Sequence, residues 1–486
     1  MDTLRTIVAT TLDVVAWPIL IYFLLINTSY LLLVVTATVD FRATRRRRRH
    51  AGRIERLGSL TAPGVSVVVP AYNEEAGVVE ATRSLLALRY HRHEVIVVSD
   101  GSEDGTLRVL TEAFDLIRAD REIPYLIPTR QVPAAVYVPR DGYTRLTVID
   151  KANSGRSDSV NVGINAAVED LVICMDADSV LDPDALLIVT EPFADDPLRT
   201  AATGGVVRVA NGCTIRDGRI LDVRMPRNLL ARIQTLEYLR SFFLGRSGWS
   251  RLRALILISG AFGCFRRDLL VEVGGLDPDS IGEDFELVMR IHRLLRERRQ
   301  DYQVTFVPEP VCWTEVPETL AVLGKQRARW HRGLWETLVK HKVMFANPRY
   351  GRAGVLAVPY YWFFELLAPL IEAVGLVLIV AGFALGLVDP TMFWLFLAVA
   401  YGYAIVVALA ATAVDEVYFA RYDRFGSMVW LMLAAVLENV GYRQITVFWR
   451  LRGWWQSLRG SEQQWGVMTR RGLGGPAASP SAGDAP

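Results

Sequence analysis

The chain has 486 residues, of which 51% are hydrophobic and 22% are charged, and this composition excludes disordered, collagen-like and disulfide-rich proteins. The 54 basic and 52 acidic residues leave a net charge of only +2, so the overall charge does not indicate nucleic-acid binding. The apolar residues are concentrated near the two ends of the chain, which indicates separate membrane and soluble parts.

The first apolar segment, Val14–Val39, contains no charged residue. A membrane-spanning helix needs about 20 mainly apolar residues, so the segment predicts a transmembrane helix within residues 1–41. A secretory signal peptide is the alternative. The length of the run and the lack of a clear cleavage site argue against it.

A basic juxtamembrane linker, residues 42–60, follows this segment and contains the run Arg45–Arg49. A solvated basic surface or a nucleic-acid arm is the alternative. Beside a membrane span, the positive-inside rule instead predicts that the chain after residue 42 is cytoplasmic. No nucleic-acid partner is expected.

Residues 61–345 have dispersed charges and short apolar runs, which predicts a soluble domain. Helical patterns over Ala76–Leu88 and Ser159–Val168 alternate with short β-branched runs. This alternation predicts an α/β fold with a mainly parallel sheet, whose ligands bind beyond the carboxyl ends of the strands. The predicted strands are Val65–Val69, Glu94–Ser99, Leu146–Asp150 and Leu171–Met175.

Polar and acidic residues follow several of these strands. Tyr72 and Glu74 follow the first, Asp100 the second, and the pair Asp176 and Asp178 the fourth. Two carboxylates on one turn suit Mg²⁺, which binds through carboxylates and substrate phosphates and can neutralise a departing diphosphate. A role in turns or helix caps is the alternative.

Two further groups of charged residues follow along the chain. Lys151 and Arg156, after the third strand, could supply positive charge to phosphates or could be solvated. Glu283 and Asp284 precede the predicted helix Phe285–Arg299, where acids often serve only as caps.

Gln326, Arg329 and Trp330 share one face of a helix rich in Arg, Trp and His. An amphipathic basic helix on an anionic membrane is the alternative for this segment.

The C-terminal part contains two more apolar segments, residues 355–388 and 390–414, which predict a transmembrane hairpin within 346–426. Glu365 and Glu372 in the first segment could line a path for a polymer or lie near the membrane interface.

The segment Met428–Trp449 carries Glu438 and Arg443, which are costly in lipid, so an interface helix or one half-buried against protein is expected within 427–472. Residues 473–486 are expected to be disordered.

Together, these motifs resemble those of the processive, membrane-embedded family-2 glycosyltransferases, which include the hyaluronan, chitin, poly-N-acetylglucosamine and cellulose synthases. The resemblance covers most of the chain in one order: Asp100, Asp176-x-Asp178, Glu283-Asp284 and Gln326-x-x-Arg329-Trp330. Trp465 and Arg470 belong to a looser similarity to the gating loop of hyaluronan synthases.

The resemblance implies a GT-A (Rossmann-like) fold and an inverting transfer from a UDP-sugar. The residues that it assigns to the donor are Tyr72, Glu74 and Asp100 for the uridine, Arg156, Gln326 and Arg329 for the diphosphate, and Asp176 and Asp178 for a bridging Mg²⁺ or Mn²⁺. It also makes Asp284 the general base and Trp330 the floor under the acceptor sugar.

The chain departs from the family pattern in three respects. Gly282 stands where a Thr is usual, Arg156 stands where a Lys is usual, and the final hairpin of hyaluronan synthases is absent from the sequence. A homodimer or an accessory subunit could complete a channel.

The expected function is β-linked polysaccharide synthesis from UDP-N-acetylglucosamine or a related UDP-hexose, coupled to passage through the membrane. The expected location is the plasma membrane, with several spans and a cytoplasmic catalytic domain. The alternatives are transfer to a membrane lipid and a non-enzymatic membrane scaffold.

Overall fold

The structure is a computed structural model that describes residues 2–50, 62–216, 218–419 and 425–459. Trp465, Arg470 and the tail 473–486 lie outside the described residues, and so does most of the basic linker. The predictions made for these segments therefore stay predictions.

A ten-stranded sheet forms the centre of the soluble part, in the order β3-β4-β5-β2-β1-β6-β11-β8-β12-β7. The neighbours β5, β2, β1 and β6 are parallel, whereas β11 runs antiparallel between β6 and β8. The strands, including the separate hairpin β9–β10, are β1 Val65–Ala71, β2 His93–Asp100, β3 Leu116–Ala119, β4 Pro133–Pro139, β5 Leu146–Lys151, β6 Leu171–Met175, β7 Val180–Leu181, β8 Thr200–Val209, β9 Thr214–Arg216, β10 Arg219–Asp222, β11 Phe262–Arg266 and β12 Gln303–Thr314.

The helices of the soluble part cover both faces of this sheet. Successive side chains of a strand point to opposite faces, so Val68 packs in one apolar cluster and Val67 and Val69 in another. The helices are α2 Val78–Leu86, α3 Thr106–Phe114, α4 Arg156–Ala166, α5 Ala185–Asp195, α6 Leu229–Tyr238, α7 Arg246–Arg251, α8 Arg267–Glu272, α9 Glu283–Glu297 and α10 Leu320–Lys340. The predicted α/β class is confirmed, and the predicted helix ends differ by two or three residues.

Among the described residues, three helical segments are long and apolar enough to span a membrane: Arg5–Val39, Ala353–Ala384 and Pro390–Val417. Each overlaps one of the three predicted spans. Phe23 on the first segment packs with Ile379 and Phe396 on the other two. The helices outside the soluble part are α1 Asp2–His50, α11 Val358–Tyr360, α12 Ala368–Ala384, α13 Pro390–Leu397, α14 Tyr403–Phe419, α15 Phe425–Leu437 and α16 Arg443–Leu458, and π-helical turns lie at Leu239–Gly245, Ala353–Ala357, Tyr361–Leu366, Ala398–Gly402 and Glu438–Tyr442.

The polar C-terminal segment breaks at Val440 and Gly441, which have non-helical backbone angles. Its charges are paired within the protein. Glu438 lies 2.6 Å from Arg240, and Arg443 forms a bidentate pair with Glu372 at 2.7 and 2.9 Å. These partners explain how charged residues occur in an otherwise apolar segment.

Helix α16 packs tightly on α10, which carries Arg329 and Trp330. A Cβ atom added to Gly453 would lie 2.3 Å from the carbonyl oxygen of Ala328, so only glycine permits this approach. Strand β8 is tied to α14 in addition, because Arg208 and Asp415 form a buried ion pair at 2.5 Å. The membrane helices and the sheet thus share direct contacts.

Candidate active site

One cavity of about 1900 Å³ lies where the carboxyl ends of β1, β2 and β6 meet the starts of α4 and α9. It extends to the membrane helices, where Asn27 and Glu372 line it. Glu365 also lines this part of the cavity. The predicted site residues within the described chain all line the cavity: Tyr72, Glu74, Asp100, Arg156, Asp176, Asp178, Asp284, Gln326, Arg329 and Trp330.

Two loops meet at the end of the cavity that lies beyond β1 and β2. The loop after β1 bonds the loop after β2, because the Asn73 amide donates to Ser102 Oγ at 3.1 Å. Gly101 has a φ of +66°, and an added Cβ would lie 2.5 Å from the backbone nitrogen of Asn153. Glycine is therefore required at the turn that follows Asp100. Tyr72 is 47% exposed there and is accessible to a ligand.

The carboxylate of Asp100 is buried and fully engaged. It accepts bonds from Lys151 Nζ at 2.5 Å and from the amides of Ser154 and Gly155 at 2.9 Å each. Lys151 is itself buried and lies 3.6 Å from Asp158. Both readings of Lys151 from the sequence, a phosphate ligand or a solvated surface residue, were therefore wrong, since its charge holds two carboxylates inside the fold.

Arg156 links the acidic residues of the centre. Its Nε donates to Asp176 Oδ1 at 2.7 Å, its Nη2 donates to the Gly260 carbonyl at 2.7 Å, and its Nη1 contacts Glu283. Burial opposes the charged form, but the carboxylates of Asp176 and Glu283 raise the pKa of Arg156 well above its ordinary value. The arginine is thus a fixed positive charge among carboxylates.

Asp284 is held in one orientation at the start of α9. The Gly260 amide donates to its Oδ2 and the Phe285 amide to its Oδ1, both at 2.8 Å. The N-cap position of α9 is Gly282, and no side chain caps the helix there. Asp284 therefore binds the loop before β11, and a carboxylate fixed in this way can accept a proton from a ligand in the cavity.

Gly282, which departs from the family pattern, has a steric reason. A Cβ atom added to Gly282 would lie 3.1 Å from the Gly333 carbonyl oxygen, and one added to Gly333 would lie 2.9 Å from Gly282 Cα. The start of α9 therefore meets the middle of α10 at two glycines. This contact brings Asp284 close to the helix that carries Arg329 and Trp330.

Helix α10 begins after Thr319, whose side chain accepts a bond from the Val322 amide. Trp330 is 39% exposed to the cavity. Arg327, which was not among the predicted site residues, lies with its Cζ 4.5 Å from the Trp330 ring centroid and pairs with Glu237 at 2.7 Å. The spacing of three residues along a helix could have indicated this contact.

The described residues contain no group of three or more His, Cys, Asp or Glu arranged to hold a metal ion. Asp176 and Asp178 follow β6 and line the cavity, and the Asp176 side chain is 34% exposed. Two carboxylates suit a cation that takes its remaining ligands from phosphates and water, so this pair fits Mg²⁺ or Mn²⁺.

Comparisons with known proteins agree with this geometry. Residues 66–257 match the family described as "Glycosyl transferase family 2", and residues 171–409 match "Glycosyl transferase family group 2". The chain belongs to the family 2 glycosyltransferases. Since the mixed sheet carries the family's motifs at one edge, its catalytic domain has the GT-A fold.

Two relatives of this glycosyltransferase are named poly-beta-1,6-N-acetyl-D-glucosamine synthase. The protein of Staphylococcus epidermidis is 29% identical over 277 residues, 57% of this chain and 56% of that protein. The protein of Staphylococcus aureus strain COL is 27% identical over 306 residues, 63% of each chain. The glycosyltransferase thus spans about 56–63% of the length of these relatives.

The comparison with solved structures includes a mannosyltransferase from Pyrobaculum calidifontis in complex with GDP-Man and Mn²⁺. It is 18% identical, covers 87% of this chain and 99% of its own, and has a TM-score of 0.46.

Proposed function

We propose that this glycosyltransferase adds sugar units from UDP-N-acetylglucosamine to the end of a growing β-linked polysaccharide and passes the product through the membrane. The observation that carries the proposal is the single cavity, which joins the loops after β1, β2 and β6 to Asp284 and Trp330 and then reaches the membrane helices. The named activity of the relatives supports the choice of sugar.

Under this proposal, the donor binds at the nucleotide end of the cavity, which the loops after β1 and β2 form. The uridine lies against Tyr72 and the loops that Glu74 and Asp100 support, and the diphosphate lies near Arg156, Gln326 and Arg329. Burial lowers the pKa of Arg329, and the charges of Asp176, Glu283 and Asp284 oppose this shift. A guanidinium stays protonated in proteins. A fixed cation there favours the negative charge that develops on the leaving UDP.

The acceptor binds on the other side of Asp284. A sugar hydroxyl is a weak nucleophile, and Asp284 removes its proton as the hydroxyl attacks the anomeric carbon. The exposed face of Trp330 supports the acceptor ring through apolar C–H contacts. Attack from the side opposite the leaving UDP inverts the configuration at that carbon.

A divalent cation at Asp176 and Asp178 would share the charge of the diphosphate and so make UDP a better leaving group. Arg156 holds one oxygen of Asp176 at 2.7 Å and fixes the orientation of this carboxylate.

We also propose that the catalytic domain, residues 61–345, is cytoplasmic, that the N-terminus lies outside, and that the protein crosses the plasma membrane three times. The segments 1–41 and 346–426 would contain the spans, and 427–472 would lie at the cytoplasmic interface. In a Ser479→Cys variant, labelling from the cytoplasmic side only is expected. Labelling from outside alone would refute this topology.

The decisive experiment incubates the purified full-length protein with each UDP-sugar separately and in pairs, with Mg²⁺ or Mn²⁺. The product is then sized and digested with linkage-specific hydrolases. A long polymer from UDP-N-acetylglucosamine supports the proposal. Addition of one sugar to a lipid would establish the non-processive alternative, and no turnover with any sugar would favour a scaffold.

The requirement for a divalent cation is tested with a chelator. EDTA is expected to abolish transfer, and added Mg²⁺ or Mn²⁺ is expected to restore it. In an Asp178→Asn variant, the cation concentration that gives half-maximal rate should rise at least tenfold. Unchanged activity in EDTA would remove the metal from the proposal.

A further inference from the structure

A buried arginine faces the cavity outside all the sequence motifs. Arg246 is the first residue of α7 and follows the π-helical turn Leu239–Gly245 directly. Its residue exposure is 7%, and it lines the cavity. Its Cζ lies 3.9 Å from the centroid of the Phe242 ring, which stacks on Tyr238 at 4.4 Å. Turns of this π-helical kind are frequent at functional sites.

The charge of Arg246 lacks a carboxylate partner. Its Nη1 has no hydrogen-bond partner within the part of the chain that the structure describes, and no carboxylate there lies within ion-pair distance. Arg156, by contrast, bonds two carboxylates and a carbonyl. Burial lowers the pKa of Arg246 to about 10, against the opposing charge of Asp284. A buried hydrogen-bond donor without a partner costs free energy, so a ligand that supplies acceptor atoms would gain binding free energy.

The position of Arg246 distinguishes it from the donor residues. Gly248, on the same helix, meets the first span, since an added Cβ would lie 3.0 Å from the Leu33 carbonyl oxygen. The Trp249 ring centroid lies 4.9 Å from that of Tyr360. Helix α7 therefore packs against the membrane helices, and it places Arg246 on the wall of the cavity that Asp284 also lines.

We propose that Arg246 binds the acceptor end of the polymer and donates hydrogen bonds to sugar hydroxyl or acetamido carbonyl oxygens. This proposal rests on the proposed function. A guanidinium carries five donors and no acceptor, and an uncharged N-acetylglucosamine chain offers many acceptor oxygens. The Phe242 ring lies against the guanidinium at 3.9 Å and helps to hold it at the cavity wall. A guanidinium also suits a diphosphate, but under the proposed function Arg156 and Arg329 bind the diphosphate.

The test measures acceptor and donor binding separately in the full-length protein. A β-1,6-linked N-acetylglucosamine tetrasaccharide is titrated in the presence of UDP, and UDP is titrated alone, both by calorimetry. In Arg246→Met, loss of charge-assisted bonds should weaken tetrasaccharide binding about 10- to 100-fold. The Kd of UDP and the KM of the UDP-sugar should stay within about twofold of wild type.

Two further variants make the result specific. Arg251→Met, exposed on the same helix, should bind both ligands as wild type does. Arg246→Lys keeps the charge but loses the fork of donors, so it should recover part of the tetrasaccharide affinity. If Arg246→Met does not fold, the Arg246→Lys variant still tests the proposal.

Several outcomes would overturn the proposal. Weaker UDP binding with unchanged tetrasaccharide binding would assign Arg246 to the diphosphate. Unchanged affinity for both ligands, or a lower Tm without recovery in the Lys variant, would assign it to the fold alone. The proposed function fails in a different way, since wild-type protein would then neither polymerise a UDP-sugar nor bind the tetrasaccharide.

Discussion

The two sides of Asp284 differ in how the fold treats charge. On the nucleotide side, buried charges are matched by protein partners, as Lys151 is by Asp100 and Asp158 and as Arg156 is by Asp176. On the acceptor side, the wall is built from aromatic rings and from Arg246, which has no carboxylate partner among the described residues. The first side is ordered before any ligand binds, whereas the second leaves its donors for the ligand.

This difference matches what each ligand demands under the proposed function. A UDP-sugar binds in one place and orientation, and loops fixed in advance reduce the ordering cost of that binding. A polymer must move after each addition. Aromatic faces contact successive sugars without fixing one register, so they suit a chain that advances.

The largest effect is expected at Asp284, where the two sides meet. Asp284→Asn keeps the size and removes the base, so kcat should fall about 10²- to 10⁴-fold while the KM for the UDP-sugar changes less than twofold. Glu297→Gln, at the other end of the same helix, should leave kcat unchanged. Initial rates of UDP release measure both, and an unaltered kcat in Asp284→Asn would exclude Asp284 as the base.

The next effect should appear on the paired nucleotide side. Lys151→Met leaves Asp100 and Asp158 buried without their cation, which should cost about 3–5 kcal/mol and should raise the KM for the UDP-sugar. Arg108→Met breaks an exposed pair with Glu75, which water and salt screen, so it should change the apparent Tm much less. The apparent Tm in detergent compares the two. Equal shifts would contradict the view that this side is held by buried charge.

The sequence predicted the acidic residues of the nucleotide side better than it predicted the buried ion pairs that support them. The strand ends and the acidic pairs could be predicted because β-branched runs and turns are local patterns. The pairing of Lys151 with Asp100 could not be predicted, because the two residues are 51 positions apart and meet only through the strand pairing of β2 with β5. Arg246 left no signal at all, since a lone arginine in a helical segment has the pattern of a solvated residue.

A third effect concerns the membrane end of the cavity, where Glu372 and Arg443 form an ion pair. Arg443→Leu leaves Glu372 at 9% exposure without its partner, which should cost roughly 3 kcal/mol. The double change Glu372→Leu with Arg443→Leu should recover most of this loss, because apolar side chains can replace a buried pair. If the double variant is as unstable as the single one, the pair has a role beyond mutual neutralisation.

An effect that is absent at neutral pH, and that separates fold from chemistry, is expected at His292 on α9, the helix that begins with Glu283 and Asp284. The ring is 2% exposed, with Nε2 2.8 Å from the Leu255 carbonyl and Nδ1 2.6 Å from the Tyr302 hydroxyl. The neutral ring therefore donates through Nε2 and accepts through Nδ1. Burial lowers the pKa of His292 from 6.5 to about 4.

Because the folded pKa lies below the unfolded one, the unfolded chain takes up the proton first as pH falls. The stability that neutral His292 provides is complete above pH 6.5 and is lost towards pH 4, by at most about 1.4 kcal/mol per pH unit. A His292→Asn variant should show a flatter dependence of the apparent Tm over that range. Asp284→Asn should keep the wild-type slope, since its effect is on kcat. A His292→Asn slope equal to wild type would mean that groups other than His292 cause the loss of stability in acid.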